Sequence, residues 1–459
     1  MAGSSKPLEI IVLAAGKGTR MYSNLPKVLH GIGGKPLLAH VLETAHRLQA
    51  ERVHVIYGHG GEQVPATIRD DSVDWVLQAE QHGTGHAVMQ AMPQVSDDSV
   101  VLVLYGDVPL IKESTLRGLV AEAAKGALAL LTMILPDAGA YGRIVRDADG
   151  NIERIVEKKD ATKTELAICE INTGFLAAPA DRLRHWLSQL SNDNAQGEYY
   201  LTDIIAIAVK EGHSVVSQNP ATVVEVEGIN SKMELARMER QYQSQQAETL
   251  MAQGLTLRDP ARFDLRGDIQ FGRDVVIDVN VIVEGRVELG DNVIIGPNTI
   301  LRDCVIGSGT EVQANCVVEQ SRVGSGCRIG PFARMRPGAS IADNAHIGNF
   351  VEIKNSNVGE GSKINHLTYV GDSDVGGGVN IGAGVITANY DGANKHRTTI
   401  EDDVSIGANS VMVAPVTVAK GATLGAGTIL RKDAPPNELT LIATEQRTIK
   451  GWKRPRKKE

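Results

Sequence analysis

The chain has 459 residues, 42% hydrophobic and 22% charged, the balance of a soluble globular protein too long for one core. A formal charge of −8 argues against a nucleic-acid partner, whose footprint would be a basic domain. No apolar run approaches the ~20 residues of a bilayer span, and the opening MAGSSKPLEI lacks signal-peptide character, so a cytoplasmic protein without membrane insertion is expected.

Residues 8–230 alternate apolar strands (10–13, 53–57, 100–105 and 128–134) with amphipathic helices (37–49 and 114–125). That alternation predicts an α/β domain on a mostly parallel sheet, with ligands gathered at the carboxyl ends of the strands. The first strand runs into Leu13-Ala14-Ala15-Gly16-Lys17-Gly18-Thr19-Arg20-Met21, followed by Pro26-Lys27. Small residues there let backbone N–H groups approach a phosphate chain, and Arg20 and Lys27 supply cations. The run is neither a Walker loop, since Gly18 stands where Ser or Thr is needed, nor a dinucleotide fingerprint, since Met21 takes the third glycine position. Asp107 closes the strand 100–105 and offers a hard oxygen donor suited to Mg²⁺ on nucleotide phosphates.

Residues 231–253 contain no Gly or Pro and predict a connecting helix with a modest apolar stripe of Leu235, Met238 and Tyr242. From residue 271 to 430 an aliphatic residue then recurs at every sixth place, as at Ile277, Val283, Leu289, Ile295 and Leu301. The beat keeps its phase through four one-residue slips, entering Ile306, Val323, Val358 and Val375. Hexapeptide periodicity of this kind predicts a parallel β-helix over 254–432, each aliphatic residue pointing inward and a small residue four places on sharing the interior. Glycine directly after the aliphatic residue, as at Gly296, Gly348 and Gly407, is expected to permit the corner. The beat skips at 389–399, so a loop is inserted there, a usual place for function on a solenoid. Cys169, Cys304, Cys316 and Cys327 make no CxxC pair, and the three inside the repeat are expected to be packing residues.

Leu-Ala-Ala-Gly-x-Gly-Thr-Arg-Met followed by Pro-Lys resembles the sugar-nucleotide pyrophosphorylase family. Further motifs agree: Gln78 in VLQAEQ, Gly83-Thr84 in HGTGHA, Tyr105-Gly106-Asp107, Tyr141-Gly142-Arg143, Glu157 in IVEKKD, Asn172 in EINTG and Asn230 in EVEGIN. The second half carries Arg334-Met-Arg336-Pro-Gly, Asn365-His366-Leu-Thr-Tyr369, Asn380-Ile-Gly-Ala383-Gly and Asn389-Tyr390-Asp391-Gly392. With these included, the chain from Ile10 to its basic tail resembles the bacterial bifunctional N-acetylglucosamine-1-phosphate uridyltransferase / glucosamine-1-phosphate N-acetyltransferase family.

The resemblance implies a Rossmann-like nucleotidyltransferase domain over 1–230, a linker helix over 231–253, and a left-handed β-helix acetyltransferase domain with a basic tail over 254–459. It implies acetyl transfer from acetyl-CoA to glucosamine-1-phosphate, then uridylyl transfer from UTP to N-acetylglucosamine-1-phosphate with release of pyrophosphate. The product, UDP-N-acetylglucosamine, feeds peptidoglycan and lipopolysaccharide precursors. A homotrimer with active sites between subunits is expected. Leu13, Ala14, Ala15, Gly16, Lys27, Thr84, Tyr105 and Gly106 would line the nucleotide site, and Gln78 and Gly83 would contact the base. Gly142, Glu157 and Asn172 would hold ribose and sugar, Asp107 and Asn230 would hold Mg²⁺, and Arg20 and Lys27 would neutralise phosphate charge.

In the second domain His366 would be the base, since acetylating an amine requires a proton to leave the ammonium first and imidazole titrates in the right range. Arg336, Lys354, Tyr369, Asn380 and Lys395 match the family's sugar-phosphate grip, and Ala383, Asn389, Tyr390 and Ala426 its acetyl-CoA path. The family often has Ser where this chain has Ala408 and Arg where it has Ala443. Arg447 or the basic tail 453–458 is expected to compensate for the second. Two alternatives stand beside this reading: a single-activity nucleotidyltransferase with a regulatory β-helix, as in glucose-1-phosphate adenylyltransferases, and a scaffold whose β-helix only trimerises the chain. The Asn-His-x-x-Tyr motif and the Asn389-Tyr390 loop argue against the regulatory reading.

Overall fold

The computed structural model describes residues 6–58, 60–443 and 446–455. It divides into two compact units, one ending at Tyr242 and the other starting at Gln243.

In the first unit the strand Leu8–Leu13 lies between Arg52–Gly58 and Val100–Tyr105, parallel to both. The sheet continues through Glu170–Pro179, which runs antiparallel, to Leu128–Ile134. Its strands are mainly apolar because both faces are covered, with Glu9 and His54 buried as a bonded pair 3.0 Å apart. Along the first strand Ile10 and Val12 enter one core, while Ile11 and Leu13 enter the other. The predicted helices are present as Leu37–Arg47 and Glu113–Ala124.

The connecting helix runs from Lys232 to Ala252. Met238 is buried against Ile32, Leu37 and Ile229 with Leu235 and Tyr242 beside it, so the predicted stripe is a packing face. Further along, Ala247 and Leu250 join the core of the second unit. The boundary between the units therefore falls inside this helix. Among the described residues, no helix is long and apolar enough to cross a membrane.

The second unit is a left-handed parallel β-helix of hexapeptide repeats. One face climbs from Glu311 to Arg328, His346 and Lys363, each residue paired with its counterpart one coil on. The inward aliphatic residues form one continuous core. The small residues four places on, including Thr299, Thr310, Cys316 and Ser362, are buried with them. Their hydroxyls are satisfied by the neighbouring coil, as where Thr310 Oγ1 donates to the Gly324 carbonyl at 2.7 Å. Cys304, Cys316 and Cys327 are sealed in this column, and burial pushes the Cys304 thiol up to about 12, so these are packing residues.

The slips fall at one edge of the prism. Coils lacking a residue turn there through Asp303, Gln320, Asn355 and Asp372, all with left-handed backbone, where full-length coils use Gly285 and Gly338. Glycine's expected role needs correction. The left-handed corner comes three residues after the aliphatic one, at Asn298, Phe350 and Asn409, and not at Gly296, Gly348 or Gly407. Those glycines are required by the closeness of the next coil, since a Cβ on Gly348 would sit 2.1 Å from the Asn365 carbonyl oxygen. Gly348→Ala should accordingly destabilise the β-helix by about 1–3 kcal/mol, the usual penalty of overpacking. Thermal inactivation of acetyl transfer at a lower temperature than in the parent would register it; an unchanged midpoint would contradict the crowding.

Candidate functional site

In the first unit Leu13 and Tyr105 are register partners, so the loops that follow them leave the sheet side by side. Two main-chain bonds hold them there: Gly106 N–H to Leu13 O at 2.9 Å, and Ala14 N–H to Ile56 O at 2.8 Å. A cleft of about 380 Å³ opens at this edge. Leu13, Ala14, Ala15, Gly16, Lys27, Gln78, Gly83, Thr84, Tyr105 and Asp107 all line it, as the sequence predicts. Gly83 has φ +106°, and a side chain there would meet the Tyr199 carbonyl at 2.7 Å, so only glycine fits. Lys17, Gln81 and Glu198 also line the cleft; none carries a pattern that separates it from an ordinary loop residue. Arg20 is placed differently from expectation: it is exposed on the short turn Thr19–Met21, outside the cleft lining.

Lys27 Nζ is held between the Asp107 carboxylate and Asn230 Oδ1, the latter at 3.0 Å. Two oxygen donors far apart in sequence thus converge on one cation, and that donor set fits Mg²⁺. Among the described residues no cluster of three or more His, Cys, Asp or Glu could hold a metal alone, so an ion here would depend on the nucleotide's phosphate oxygens as well. Gln78 is buried, and its Nε2 donates both to the Gly83 carbonyl at 3.3 Å and to His86 Nδ1 at 3.0 Å. With both amide hydrogens engaged, Oε1 remains as an acceptor.

Gly142, Glu157 and Asn172 form a neighbouring group. Asn172 N–H bonds the Gly142 carbonyl at 2.9 Å, and a Cβ on Gly142 would lie 3.3 Å from Glu157 Oε1. Burial raises the Glu157 carboxyl above its ordinary range, and the Thr202 hydroxyl, 3.1 Å away, works against that rise. Tyr105 is raised by burial and then by the charges of Asp107 and Glu157.

In the second unit His366 ends the strand Lys363–His366, two residues after the inward Ile364, and its side chain is exposed. The stacking of Ile364, Ile381, Ile406 and Leu424 puts Ala383, Ala408 and Ala426 in the same column on the following coils. The imidazole thus stands at the head of a shallow lane of methyl groups. Tyr369 begins the next face, after the corner at Leu367. Arg336 pairs with Glu352 at 2.8 Å, and Glu352 is the register partner of Tyr369.

Lys354 lies one coil below the Asp372 corner, its carbonyl accepting from Asp372 N–H at 3.0 Å. Asp372 is buried and anchors the inserted loop through the Asn389 amide, while Asn355 donates to its other oxygen at 2.5 Å. Burial pushes the Asp372 carboxyl up, but those bonds and the charges of Lys395 and Lys354 outweigh it and hold it below the ordinary range. Tyr390 and Lys395 are exposed and form a bridge that closes the loop. Asn380 does not join this group: it pairs with Lys363, at the opposite end of the face from His366. Three residues of strand, roughly 10 Å, separate the two positions. Ala443 and Arg447 are exposed, and tail residues 456–458 lie outside the described residues.

Family models match both units. A MobA-like NTP transferase domain covers residues 10–141, a bacterial transferase hexapeptide repeat covers 268–303 and 320–355, and a hexapeptide repeat of succinyl-transferase covers 397–432. The bifunctional protein GlmU of Thiobacillus denitrificans is 58% identical over 448 residues, 98% of both chains. That of Marinobacter nauticus is 54% identical over 451 residues, 98% of this chain and 99% of the relative. The chain belongs to the bifunctional GlmU family. A UDP-glucose pyrophosphorylase complexed with UDP-glucose overlaps 51% of this chain and 98% of its own at 17% identity and a TM-score of 0.42, too slight a likeness to bear on function. As a GlmU-family enzyme the chain is both an acetyltransferase and a uridylyltransferase of UDP-N-acetylglucosamine synthesis, using acetyl-CoA, UTP and Mg²⁺. Neither a regulatory β-helix nor a bare scaffold is then required.

Proposed function

We propose that the two GlmU reactions are run by the Asp107 edge of the sheet and the His366 corner of the β-helix, in a homotrimer. At the corner, the exposed imidazole takes a proton from the ammonium of glucosamine-1-phosphate, freeing the nitrogen to attack the acetyl thioester. As the tetrahedral intermediate collapses, the C–S bond breaks, the imidazolium passes its proton to the departing thiolate, and the second surplus proton on the nitrogen is lost to water to leave the neutral amide. Arg336, Lys354, Tyr369 and Lys395 hold the sugar phosphate. The column Ala383, Ala408 and Ala426 with Asn389 and Tyr390 lines the acetyl-CoA path. With Ala in place of Ser at 408, a backbone N–H is left to meet the developing oxyanion.

At the sheet edge, a sugar-1-phosphate oxygen attacks the α-phosphorus of UTP and pyrophosphate leaves. The amides of Ala14 to Gly16 cradle the phosphates, and Gln78 Oε1 accepts from the uracil ring. Gly142, Glu157 and Asn172 take the sugar and ribose, and Lys27, with Arg20 at the cleft's margin, neutralises charge. Mg²⁺ bound at Asp107 and Asn230 would supply further charge neutralisation on the phosphates.

The observation that carries the reading is the placement of His366, exposed at the head of the alanine lane. The trimer draws support from the same corner. Phe332, Phe350 and Leu367 occupy it on successive coils, all exposed and all in left-handed backbone, where other coils place Asn or Gly. Phe332 and Phe350 stack at 5.1 Å. Large apolar side chains pay a conformational penalty of roughly 1 kcal/mol or more in that region, and burial against a neighbouring copy would offset it. Such a copy would also bring its own Asn380 to a site that this chain's Asn380 does not reach.

The test is to incubate the pure protein with glucosamine-1-phosphate, acetyl-CoA, UTP and Mg²⁺ and follow products by mass. N-acetylglucosamine-1-phosphate should rise before UDP-N-acetylglucosamine; appearance of neither, or a solution mass of one chain by light scattering, would defeat the proposal.

A further inference from the structure

Asn349 is the register partner of His366 on the preceding coil, and its Oδ1 lies 2.7 Å from His366 Nδ1. The column they share is otherwise small or apolar: Ala314 and Pro331 precede them, and Ala383, Ala408 and Ala426 follow. Polar side chains thus stand at two consecutive coils only, and those two are bonded to each other. From this pairing we infer that Asn349 is a positioning residue for acetyl transfer, holding the His366 ring so that Nδ1 keeps its proton and Nε2 presents the basic lone pair. The inference rests on the reading of His366 as the base.

The chemistry is that of a base oriented by a third group. An amide oxygen can only accept, so the nitrogen facing it must be the N–H, and the tautomer is set before substrate arrives. The amide adds no charge, so it orients the ring without strengthening its hold on the proton it must later release. A carboxylate at the same place would hold the imidazolium more firmly. The nearest titratable groups along these two strands are His346, three residues before Asn349, and Lys363, three before His366, each roughly 10 Å along the face. Burial lowers the His346 imidazole, the nearby Arg328 and Lys363 charges add to that lowering, and an orienting amide brings no further charge to this face.

Two variants test the assignment. Asn349→Ala should lower kcat for acetyl transfer by about 10²-fold, the scale of a misoriented catalytic group, with KM for glucosamine-1-phosphate and acetyl-CoA little changed. Asn349→Asp keeps size and acceptor, so it should fold, and should move the acidic limb of the kcat/KM profile upward by about one pH unit or more, as a carboxylate against an imidazolium does. A purely structural asparagine would not move that limb. Acetyl transfer by Asn349→Ala within twofold of the parent, or an unmoved limb in Asn349→Asp, would overturn the assignment. His366→Ala separates the two failures: if it stays active, the base reading falls, whereas if it is dead and both Asn349 variants are silent, only the positioning role falls.

Discussion

His366→Ala should lose acetyl transfer while uridylyl transfer from supplied N-acetylglucosamine-1-phosphate proceeds at the parent rate. Removing a general base costs about 10²–10⁴-fold in rate, or about 3–5 kcal/mol of transition-state stabilisation. The fold gives little reason for a larger structural effect. The imidazole is exposed and bonds the Asn349 side chain, while the coil is held by the buried Ile364 and by Thr368, whose hydroxyl donates to the His366 backbone carbonyl at 2.7 Å. That carbonyl survives the substitution. The two activities assayed separately on one preparation give an internal control, because the Asp107 edge belongs to the other unit. Acetyl transfer within tenfold of the parent would place the base elsewhere.

Much of the second unit was legible because its constraint is one-dimensional. A solenoid repeats one environment every six residues, so a single inward column writes itself along the chain. Even the slips have a local cause, since Asp303, Gln320, Asn355 and Asp372 turn in one residue what glycine corners turn in two. The glycine after each aliphatic residue was harder to interpret. Its neighbour is not in its own coil but 17 or 26 residues on, as where Gly348 meets Asn365 and Gly382 meets Ala408. A local reading assigns such a glycine to the corner because the crowding partner is invisible from one strand.

The sites divide along the same line. Residues on the nucleotide loops were readable because each follows a strand directly, and the parallel register carries Leu13 and Tyr105 to one edge together. Contacts made across the stack were not. Asn349, Glu352 and Asp372 each act on a residue one coil away, and nothing in the spacing singles them out from other wall positions. The same holds for His86, which engages the Gln78 amide from the following helix. Arg20 is the opposite case: it carries the motif's charge, yet the turn Thr19–Met21 leaves it at the margin. Asn380 belongs to the motif in sequence but to another part of the face in space, where it pairs with Lys363.

Asp107→Asn is expected to cut uridylyl transfer by about 10²–10³-fold, the usual cost of one preorganised charged group aimed at a phosphoryl transition state, and to leave acetyl transfer intact. The carboxylate has two tasks that an amide performs poorly. It would supply the negative charge of a cation site whose other protein donor, Asn230 Oδ1, is neutral, and it binds the Lys27 ammonium that lies between the two donors. The substitution is nearly isosteric, and the segment that carries Asn230 is fixed by the main chain of residue 107, whose carbonyl accepts from Ile229 N–H at 3.0 Å. Loss of activity would therefore report loss of charge rather than a displaced loop. Mn²⁺ binding in the presence of UTP, followed by electron paramagnetic resonance, should weaken in parallel, whereas Asn230→Ala, which removes a neutral ligand, should weaken it less. Uridylyl transfer within tenfold of the parent, with Mn²⁺ affinity unchanged, would remove Asp107 from the metal site and leave Lys27 as its sole partner of consequence.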